Sequence, residues 1–275
     1  MPALFRRLGT VCATAAACLA LLGGCVTTTQ GSVAGGSRSQ FMMVSEQQVL
    51  QSSQQAFSQQ NSQARAQGAL ITSGPQYTRV VRIMRRMVPQ VTHFRPDAAR
   101  WPWQLVLIRS NELNAHVMPG GKVTFYTGII DRLQLTDDEI AAIMGHEMAH
   151  ALREHVREQM SQQAAGNLAL KLGGALLGAS DASMQMAGMA KQMMLDLPFS
   201  RSMESEADTY GLELAARAGY NPTAALTLWD KMRAAGAGTG SSFLSTHPSS
   251  AERMASMRAQ IPRLMPIYEA ARQRP

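Results

Sequence analysis

Hydrophobic positions follow three successive patterns along the chain. Residues 8–22 form a largely apolar run, residues 103–130 contain short runs in which apolar and polar positions alternate, and beyond Leu135 apolar residues recur every three or four positions. Alternation is typical of half-buried β-strands, whereas a spacing of three to four is typical of amphipathic helices. The pattern therefore predicts an α+β domain that is mostly helical and contains one small sheet.

Capping residues delimit the predicted helices. Segments 43–68 and 74–91 both place apolar residues at helical intervals. Thr136 and Glu139 form a capping box that opens a helix of about four turns. Further helices are predicted from Ser200 to Gly219, from Pro222 behind the cap Asn221 to Gly236, and after a second capping box of Ser249 and Glu252.

The alternating runs predict the sheet. Segments "WQLVLIRS" (103–110) and "KVTFYTGII" (122–130) are rich in β-branched and aromatic residues, and the sequence Pro-Gly-Gly at 119–121 supplies a turn before the second run. We predict that both runs, together with the segment between them, form a small antiparallel sheet.

The first apolar run belongs to a secretory signal. Arg6 and Arg7 precede it, and it is shorter than the roughly 20 residues that a membrane-spanning helix needs. "LLGGC" (21–25) resembles a bacterial lipobox, which implies cleavage before Cys25 and a diacylglycerol group on its sulfur. An ordinary cleaved signal is the alternative. We expect a signal peptide at residues 1–24, a flexible membrane tether at residues 25–40, and a globular domain at residues 41–275.

Composition and charge narrow the class of protein. A chain of 275 residues that is 45% hydrophobic is long enough for one substantial core. The formal net charge of +7 falls to +5 without Arg6 and Arg7, and the remaining basic residues are scattered, so nucleic acid is not expected as a partner. Cys12 and Cys18 lie within the signal, which leaves no disulfide in the mature chain.

The sequence "GHEMAH" (145–150) provides the strongest chemical motif. His146 and His150 are four residues apart on a predicted helix, so both imidazoles can face one metal ion, and Glu147 beside them can act as a general base. Two histidines on an ordinary helix are the alternative, because a zinc site needs a third ligand. In another known zinc-binding pattern a third histidine would stand at position 156, where this chain has Val156. His155 is one position before it, and we expect its side chain to face away from the pair as a structural or surface residue.

A second acidic helix offers the missing ligand. Glu204 and Asp208 share one face of "SRSMESEADTYG" (200–211) by the same four-residue spacing. One carboxylate can bind the metal while the other orients a ligand histidine. An acidic first turn that faces solvent is the alternative explanation.

Four motifs in order resemble one enzyme family. "NAHVMPGGKVTFYTGII" (114–130), "GHEMAHALREH" (145–155), "LPFSRSMESEADTYGLELAARAGYNP" (197–222) and "THPSSAERM" (246–254) are similar to the gluzincin metallopeptidases of the HtpX, BepA and CAAX prenyl protease family, nearest to its small periplasmic lipoprotein members. The resemblance implies a zincin-like (minigluzincin) fold and one Zn²⁺ per chain.

The resemblance also assigns roles to individual residues. It implies that His146, His150 and Glu204 bind zinc, that Asp208 supports a ligand histidine, and that Glu206 is a solvated neighbour. Further assignments by resemblance are the substrate-binding edge strand Asn114, Ala115 and His116, and the catalytic residues Glu147, His247 and Arg253. In the family the histidine equivalent to His247 is either a transition-state donor or an inhibitory fourth ligand, and a turn histidine before proline is the structural alternative. We expect His116 to be a partly exposed strand residue.

The sequence thus predicts a zinc-dependent endopeptidase at residues 41–275 that cleaves unfolded or damaged envelope proteins. Val26 follows the lipidated cysteine, where an aspartate would favour retention in the inner membrane, so we expect the periplasmic face of the outer membrane. A non-catalytic zinc-binding lipoprotein chaperone and a purely structural lipoprotein are alternatives. The methionine-rich segment 184–194 is interpreted as adaptable core, with a copper site or a substrate-gating surface as alternatives.

Overall fold

The computed structural model describes residues 24–36, 38–176, 198–239 and 242–273. Its strands are β1 (Cys25–Val26), β2 (Gln40–Phe41), β3 (Leu70–Ile71), β4 (Gln104–Ile108), β5 (Ala115–Met118) and β6 (Lys122–Tyr126). Its helices are α1 (Glu46–Ala66), α2 (Pro75–Met87), α3 (Thr127–Arg132), α4 (Asp137–Leu152), α5 (His155–Leu176), α6 (Arg201–Arg217), α7 (Ala224–Thr239), α8 (Ser242–Thr246) and α9 (Ala251–Arg272). Two 3₁₀ turns, Val88–His93 and Pro96–Arg100, follow α2.

The main sheet is mixed and has the strand order β3-β4-β6-β5. The predicted antiparallel arrangement is correct for β5 and β6 but wrong for β4 and β6, which run parallel. The tight turn before β6 contains Gly120 and Gly121 with φ of 78° and 76°, values that favour glycine. This turn makes β5 and β6 neighbours, so the chain reverses twice between β4 and β6. β5 lies at the edge of the sheet.

Each face of the sheet packs against helices. Alternate residues of β4 contact different cores: Val106 and Ile108 pack with Phe57 of α1, whereas Leu105 and Leu107 join the main core beneath α2 and α4. Because α4 and α6 also bury their facing sides in the main core, the helix that carries "GHEMAH" is packed against other elements on several sides.

The predicted helix boundaries hold where local capping dictates them. Thr136 and Glu139 form the capping box of α4, and Ser200 caps α6 by accepting from the N–H of Met203. Two predictions are displaced. The helix behind Asn221 starts at Ala224 and continues to Thr239, and the cap of α9 is Ser250, because the Ser250 hydroxyl accepts from the N–H of Arg253.

The N-terminal strap, which we define as residues 24–36 and 38–41, packs along the domain. β1 pairs with β2, the Val33 N–H donates to Glu213 at 2.8 Å, and the Gln40 amide donates to the Arg153 carbonyl at 2.6 Å. The described part of segment 25–40, which was expected to be a flexible tether, thus lies against the domain. Composition could not reveal this, because the polar side chains typical of a spacer can equally satisfy buried hydrogen-bonding groups.

Some predictions fall outside the described residues. These are residues 1–23 of the expected signal peptide and the methionine-rich segment 184–194. Within the described ranges, no helix combines the length and the apolar character needed to cross a membrane.

Candidate metal centre

Helix α4 presents two histidines to one point in the interior. His146 and His150 are 6% and 1% exposed, and their Nε2 atoms lie 3.1 Å apart. The four-residue spacing places both rings on one side of the helix, as predicted. Phe199 stacks on the ring of His150 with 4.1 Å between centroids and limits the space around it.

Helix α6 brings a carboxylate to the same point because two glycines allow the helices to approach closely. A Cβ at Gly145 of α4 would lie 2.6 Å from the carbonyl oxygen of Gly211 on α6, so neither position has room for a side chain. As a result, Glu204 Oε2 lies 3.5 Å from His146 Nε2, and Glu204 Oε1 lies 3.4 Å from His150 Nε2.

A third histidine enters from the end of α8. The N–H of His247 donates to the carbonyl of Phe243, and the two rings stack at 4.5 Å. This places His247 Nδ1 2.9 Å from Glu204 Oε1 and 3.2 Å from His146 Nε2. His247 is 2% exposed, and the next helix, α9, is capped by Ser250 and not by His247.

These four residues fit a zinc ion. Ligand atoms of His146, His150, Glu204 and His247 all lie within 4.8 Å of one another. Ligands of a tetrahedral zinc with bonds of about 2.0–2.1 Å are separated by about 3.3–3.4 Å, close to the observed separations. Glu204 is 1% exposed, and two imidazoles with one buried carboxylate form a donor set that zinc commonly binds.

The electrostatics of the cluster favour an ionised glutamate. Burial alone would raise the pKa of Glu204, but the neighbouring imidazoles, led by His247, hold it well below its usual range. For His146, burial alone would lower the pKa, but hydrogen bonds and charge from Asp208 and Glu204 raise it to about 9. The site therefore attracts positive charge, whether as protons or as a metal ion.

Glu147 lies between the cluster and the edge strand. Its Oε2 accepts from the N–H of Val117 at 3.0 Å, whereas its Oε1 is buried, has no hydrogen-bond partner among the described residues, and lies 3.3 Å from His247 Nε2. Burial raises the pKa of Glu147. A carboxylate with one fixed oxygen, one free oxygen and a raised pKa is suited to accept a proton.

Asp208 and Arg253 support the far side of His146. Asp208 Oδ1 lies 3.1 Å from His146 Nδ1, and Arg253 donates to both Asp208 oxygens at 2.6 and 2.7 Å. Arg253 Nη1 also lies 2.7 Å from Glu204 Oε2. Arg253 thus contacts both Asp208 and Glu204. Its hydrogen bonds hold the pKa of Asp208 below its ordinary value despite burial.

Two expectations for neighbouring residues are wrong. His155 does not face away from the pair: it is fully buried, and its Nδ1 lies 2.9 Å from His150 Nδ1. Glu206 is not a solvated neighbour, because it accepts from His155 Nε2 at 3.0 Å and from Arg153 at 3.1 Å. His155 follows the end of α4 at Leu152 and starts α5, so the helical geometry of α4 does not set its direction.

The predicted edge strand lies beside the cluster, but the residue of β5 that contacts Glu147 was not predicted. Ala115 is buried, and the carbonyl of Asn114 accepts from Tyr126 within the sheet. His116 is 8% exposed rather than partly exposed, because Gln60 of α1 covers it at 3.2 Å. The main chain of Val117 contacts Glu147 directly. The alternation of an antiparallel ladder could have identified Val117, since only every second main-chain N–H of an edge strand points away from the neighbouring strand.

Comparison with known proteins agrees with this geometry. The family model described as Peptidase family M48 matches residues 74–261, which include every residue of the cluster. Mitochondrial metalloendopeptidase OMA1 of Schizosaccharomyces pombe is 40% identical over 162 residues, covering 58% of this chain and 47% of that protein.

Two bacterial proteins from Escherichia coli are also similar. Metalloprotease LoiP is 33% identical over 146 residues, covering 52% of this chain and 57% of that protein. The beta-barrel assembly-enhancing protease is 25% identical over 183 residues, covering 62% and 37% respectively. The chain spans about half the length of the curated relatives it matches. The predicted family and the predicted zincin-like α+β fold are confirmed, because the family model covers more than half of the chain: this protein belongs to peptidase family M48.

Proposed function

We propose that this protein is a zinc-dependent metalloendopeptidase in which His146, His150 and Glu204 bind the metal. The observation that carries this proposal is the meeting of two buried imidazoles and one buried carboxylate beside a second carboxylate, Glu147, with a free oxygen. A site with a purely structural role needs no such base. Zinc, when bound, lowers the pKa of water toward about 7 and polarises a substrate carbonyl.

The protein's own residues position the reacting groups and move the proton. Glu147 Oε1 accepts the proton of the attacking water and can return it to the leaving amine, while Oε2 stays fixed on Val117. Asp208 holds His146 with its proton on Nδ1, so that Nε2 faces the cluster. We assign His247 as a donor to the developing oxyanion of the substrate. Arg253 pairs with Glu204 and donates to the carbonyl of Pro248, and we assign it to hold the residue after His247 beside the site.

We further propose that an extended polypeptide binds along β5, at Asn114, Ala115 and His116. This is supported by the position of β5 at the edge of the sheet and by the contact between Val117 and the general base. Edge-strand recognition uses main-chain hydrogen bonds, which favours unfolded proteins over particular sequences. Unfolded or damaged envelope proteins are therefore the proposed substrates.

For location, we propose a lipid anchor at Cys25 on the periplasmic face of the outer membrane. The support is the "LLGGC" sequence behind Arg6 and Arg7. Mass spectrometry of the chain purified from bacterial membranes tests this: we expect diacylglycerol on Cys25 and its loss in Cys25→Ala. An unmodified Cys25 in an intact N-terminus would contradict the anchor without affecting the enzymatic proposal.

The enzymatic proposal is tested by comparing the full-length chain with its Glu147→Gln variant. The full chain is needed because the strap packs against the domain. We expect both proteins to bind one zinc, and we expect the variant to cleave casein slower by about 10² to 10⁴-fold, the usual contribution of a general base.

Two outcomes would contradict the proposal. Equal cleavage by parent and variant would exclude Glu147 as the base. Zinc binding without cleavage by the parent would instead favour the chaperone alternative.

A further inference from the structure

The second ligand histidine has its own support, separate from Asp208. On the side away from the cluster, His150 Nδ1 lies 2.9 Å from His155 Nδ1, and His155 Nε2 lies 3.0 Å from Glu206 Oε2. His155 is fully buried and the side chain of Glu206 is 11% exposed. These three residues form a continuous row of hydrogen-bonding groups that ends on a proposed metal ligand.

Only one placement of protons allows both hydrogen bonds of this row to form while His150 Nε2 stays free to bind a metal. His150 Nε2 faces the cluster, 3.4 Å from Glu204, so its proton must lie on Nδ1 if Nε2 is to bind a metal. His155 Nδ1 must then accept that proton's hydrogen bond. The remaining nitrogen, His155 Nε2, then donates to a carboxylate oxygen of Glu206.

Two arginines hold the Glu206 carboxylate in place. Arg153 contacts Glu206 Oε2 through Nε at 3.2 Å and through Nη2 at 3.1 Å. Arg38 of the strap lies 2.9 Å from Glu206 Oε1. A carboxylate held by two guanidinium groups remains an acceptor, so it orients the ring of His155.

A strained turn brings His155 into this row. In an uninterrupted helix, five residues correspond to about 500° of rotation, so His155 would point about 140° away from His150. Instead, Glu154 adopts a φ of +49°, which ends α4 and turns the chain back. Arg95 and Arg157 hold the Glu154 carboxylate at 2.5 and 2.8 Å, which stabilises this turn.

We infer that His155 and Glu206 are positioning residues that hold His150 in the orientation and tautomer required to bind the metal. They do for His150 what Asp208 does for His146. Partners of this kind typically change metal affinity by 10- to 100-fold. The inference rests on the proposed zinc site and assigns a further pair of residues to it.

The test compares zinc affinity among full-length variants, measured by competition with a chelator. We expect His155→Phe to weaken zinc binding by about 10- to 100-fold. Glu206→Gln should weaken it by a smaller but measurable factor, because its amide oxygen can still accept from His155 Nε2 but carries no charge. His155→Asn should retain most of the affinity, because its amide oxygen can accept from His150 Nδ1. Cobalt-substituted protein gives a second measurement, since its visible absorption responds to the orientation of the ligands.

Glu213→Gln is the matched control. Glu213 is also a buried glutamate on α6 that contacts both an arginine and the strap, through Arg217 and Val33, but it lies outside the row that reaches His150. We expect this variant to keep the zinc affinity and cobalt spectrum of the parent, even if its free energy of unfolding falls.

The outcomes separate this inference from the proposed function. If the parent binds zinc and both His155→Phe and Glu206→Gln match it in affinity and spectrum, or if Glu213→Gln weakens binding equally, the positioning role is wrong. If His155→Phe does not fold, Glu206→Gln decides the question by the same criteria. A parent chain that binds no zinc would instead overturn the proposed function.

Discussion

Glu147 accepts a hydrogen bond from the main-chain N–H of Val117 at 3.0 Å, which joins the proposed general base to the edge strand. Val117 lies opposite Val123 of β6 in a non-hydrogen-bonded pair of the antiparallel ladder. The N–H of Val117 therefore points away from β6 and is available to the carboxylate. The strand proposed to bind substrate therefore also orients the base.

Replacing Val117 with proline should slow catalysis without removing the metal. Proline lacks the N–H that fixes Glu147, and a hydrogen bond to a charged group contributes roughly 1.5–3 kcal/mol. We expect kcat for casein cleavage to fall about 10-fold or more, with zinc content unchanged. Val117→Ala is the control, because it keeps the N–H; an equal loss in that variant would attribute the effect to packing.

The close approach of α4 and α6 predicts a strong effect of a single methyl group. In Gly145→Ala the new Cβ would lie 2.6 Å from the Gly211 carbonyl oxygen, which forces the helices apart and moves Glu204 away from the histidines. We expect a loss of about 1–3 kcal/mol in the free energy of unfolding and weaker zinc binding.

The matched control for this change is Gly166→Ala on α5, where a Cβ would meet nothing within 4 Å. In an open helical position the same substitution should stabilise by up to about 1 kcal/mol. Equal stability of the two alanine variants in urea denaturation would contradict the packing argument.

Arg253 should be far more important for stability than an exposed arginine. It is 5% exposed and neutralises Asp208 through two hydrogen bonds. Because Arg253→Met leaves buried carboxylates without their partner, we expect a loss of about 3–5 kcal/mol in denaturant unfolding. Arg233, whose side chain is 73% exposed and pairs with Asp230, is the control, and Arg233→Met should change stability by less than about 1 kcal/mol.

His247 should act as a donor in catalysis. Phenylalanine at this position keeps the stacking on Phe243 but removes both ring nitrogens. We expect His247→Phe to retain zinc through His146, His150 and Glu204 and to lower kcat/KM by about 10² to 10³-fold, as for the loss of an oxyanion donor. Faster cleavage by the variant would show that His247 is an inhibitory ligand.

Burial of His116 predicts a loss of stability in acid. Desolvation lowers its pKa from 6.5 to about 4 in the folded protein, so between these values only the unfolded chain binds the proton. Stability is therefore fully present above pH 6.5 and declines as the pH falls toward 4, by about 2 kcal/mol between pH 7 and pH 5.

The non-titrating variant His116→Gln isolates this contribution. Urea denaturation of both proteins at pH 7 and pH 5, with chelator present, should show a smaller acid-induced loss in the variant. The same loss in both proteins would mean that other groups account for it.

Several features of the site follow from local sequence alone. The capping box at Thr136 sets the start of α4, and the four-residue spacing then requires His146 and His150 to share a face. The same rule pairs Glu204 with Asp208 on α6. These predictions hold because helix geometry repeats every 3.6 residues whatever the helix packs against.

Other features depend on which distant surfaces meet. Helical geometry would direct His155 away from the metal centre, but Glu154 has a φ of +49°, and His155 instead contacts His150. The polar strap looked like a spacer, yet Arg38 pairs with Glu206 across 168 residues of chain. No local pattern encodes such contacts, because the same polar side chains suit solvent or a buried network equally well.

The sequence by itself determined the helices that carry the site, the caps of α4 and α6, and the side chains that these two helices present, since these depend on interactions within a few residues. Only the tertiary structure decided that Gly145 and Gly211 bring Glu204 to the histidines, and that Val117, His155 and Glu206 surround the centre. Those relationships arise from close packing between elements far apart in the chain. Such packing depends on the shapes of all the elements that meet in the core, which no single segment of sequence specifies.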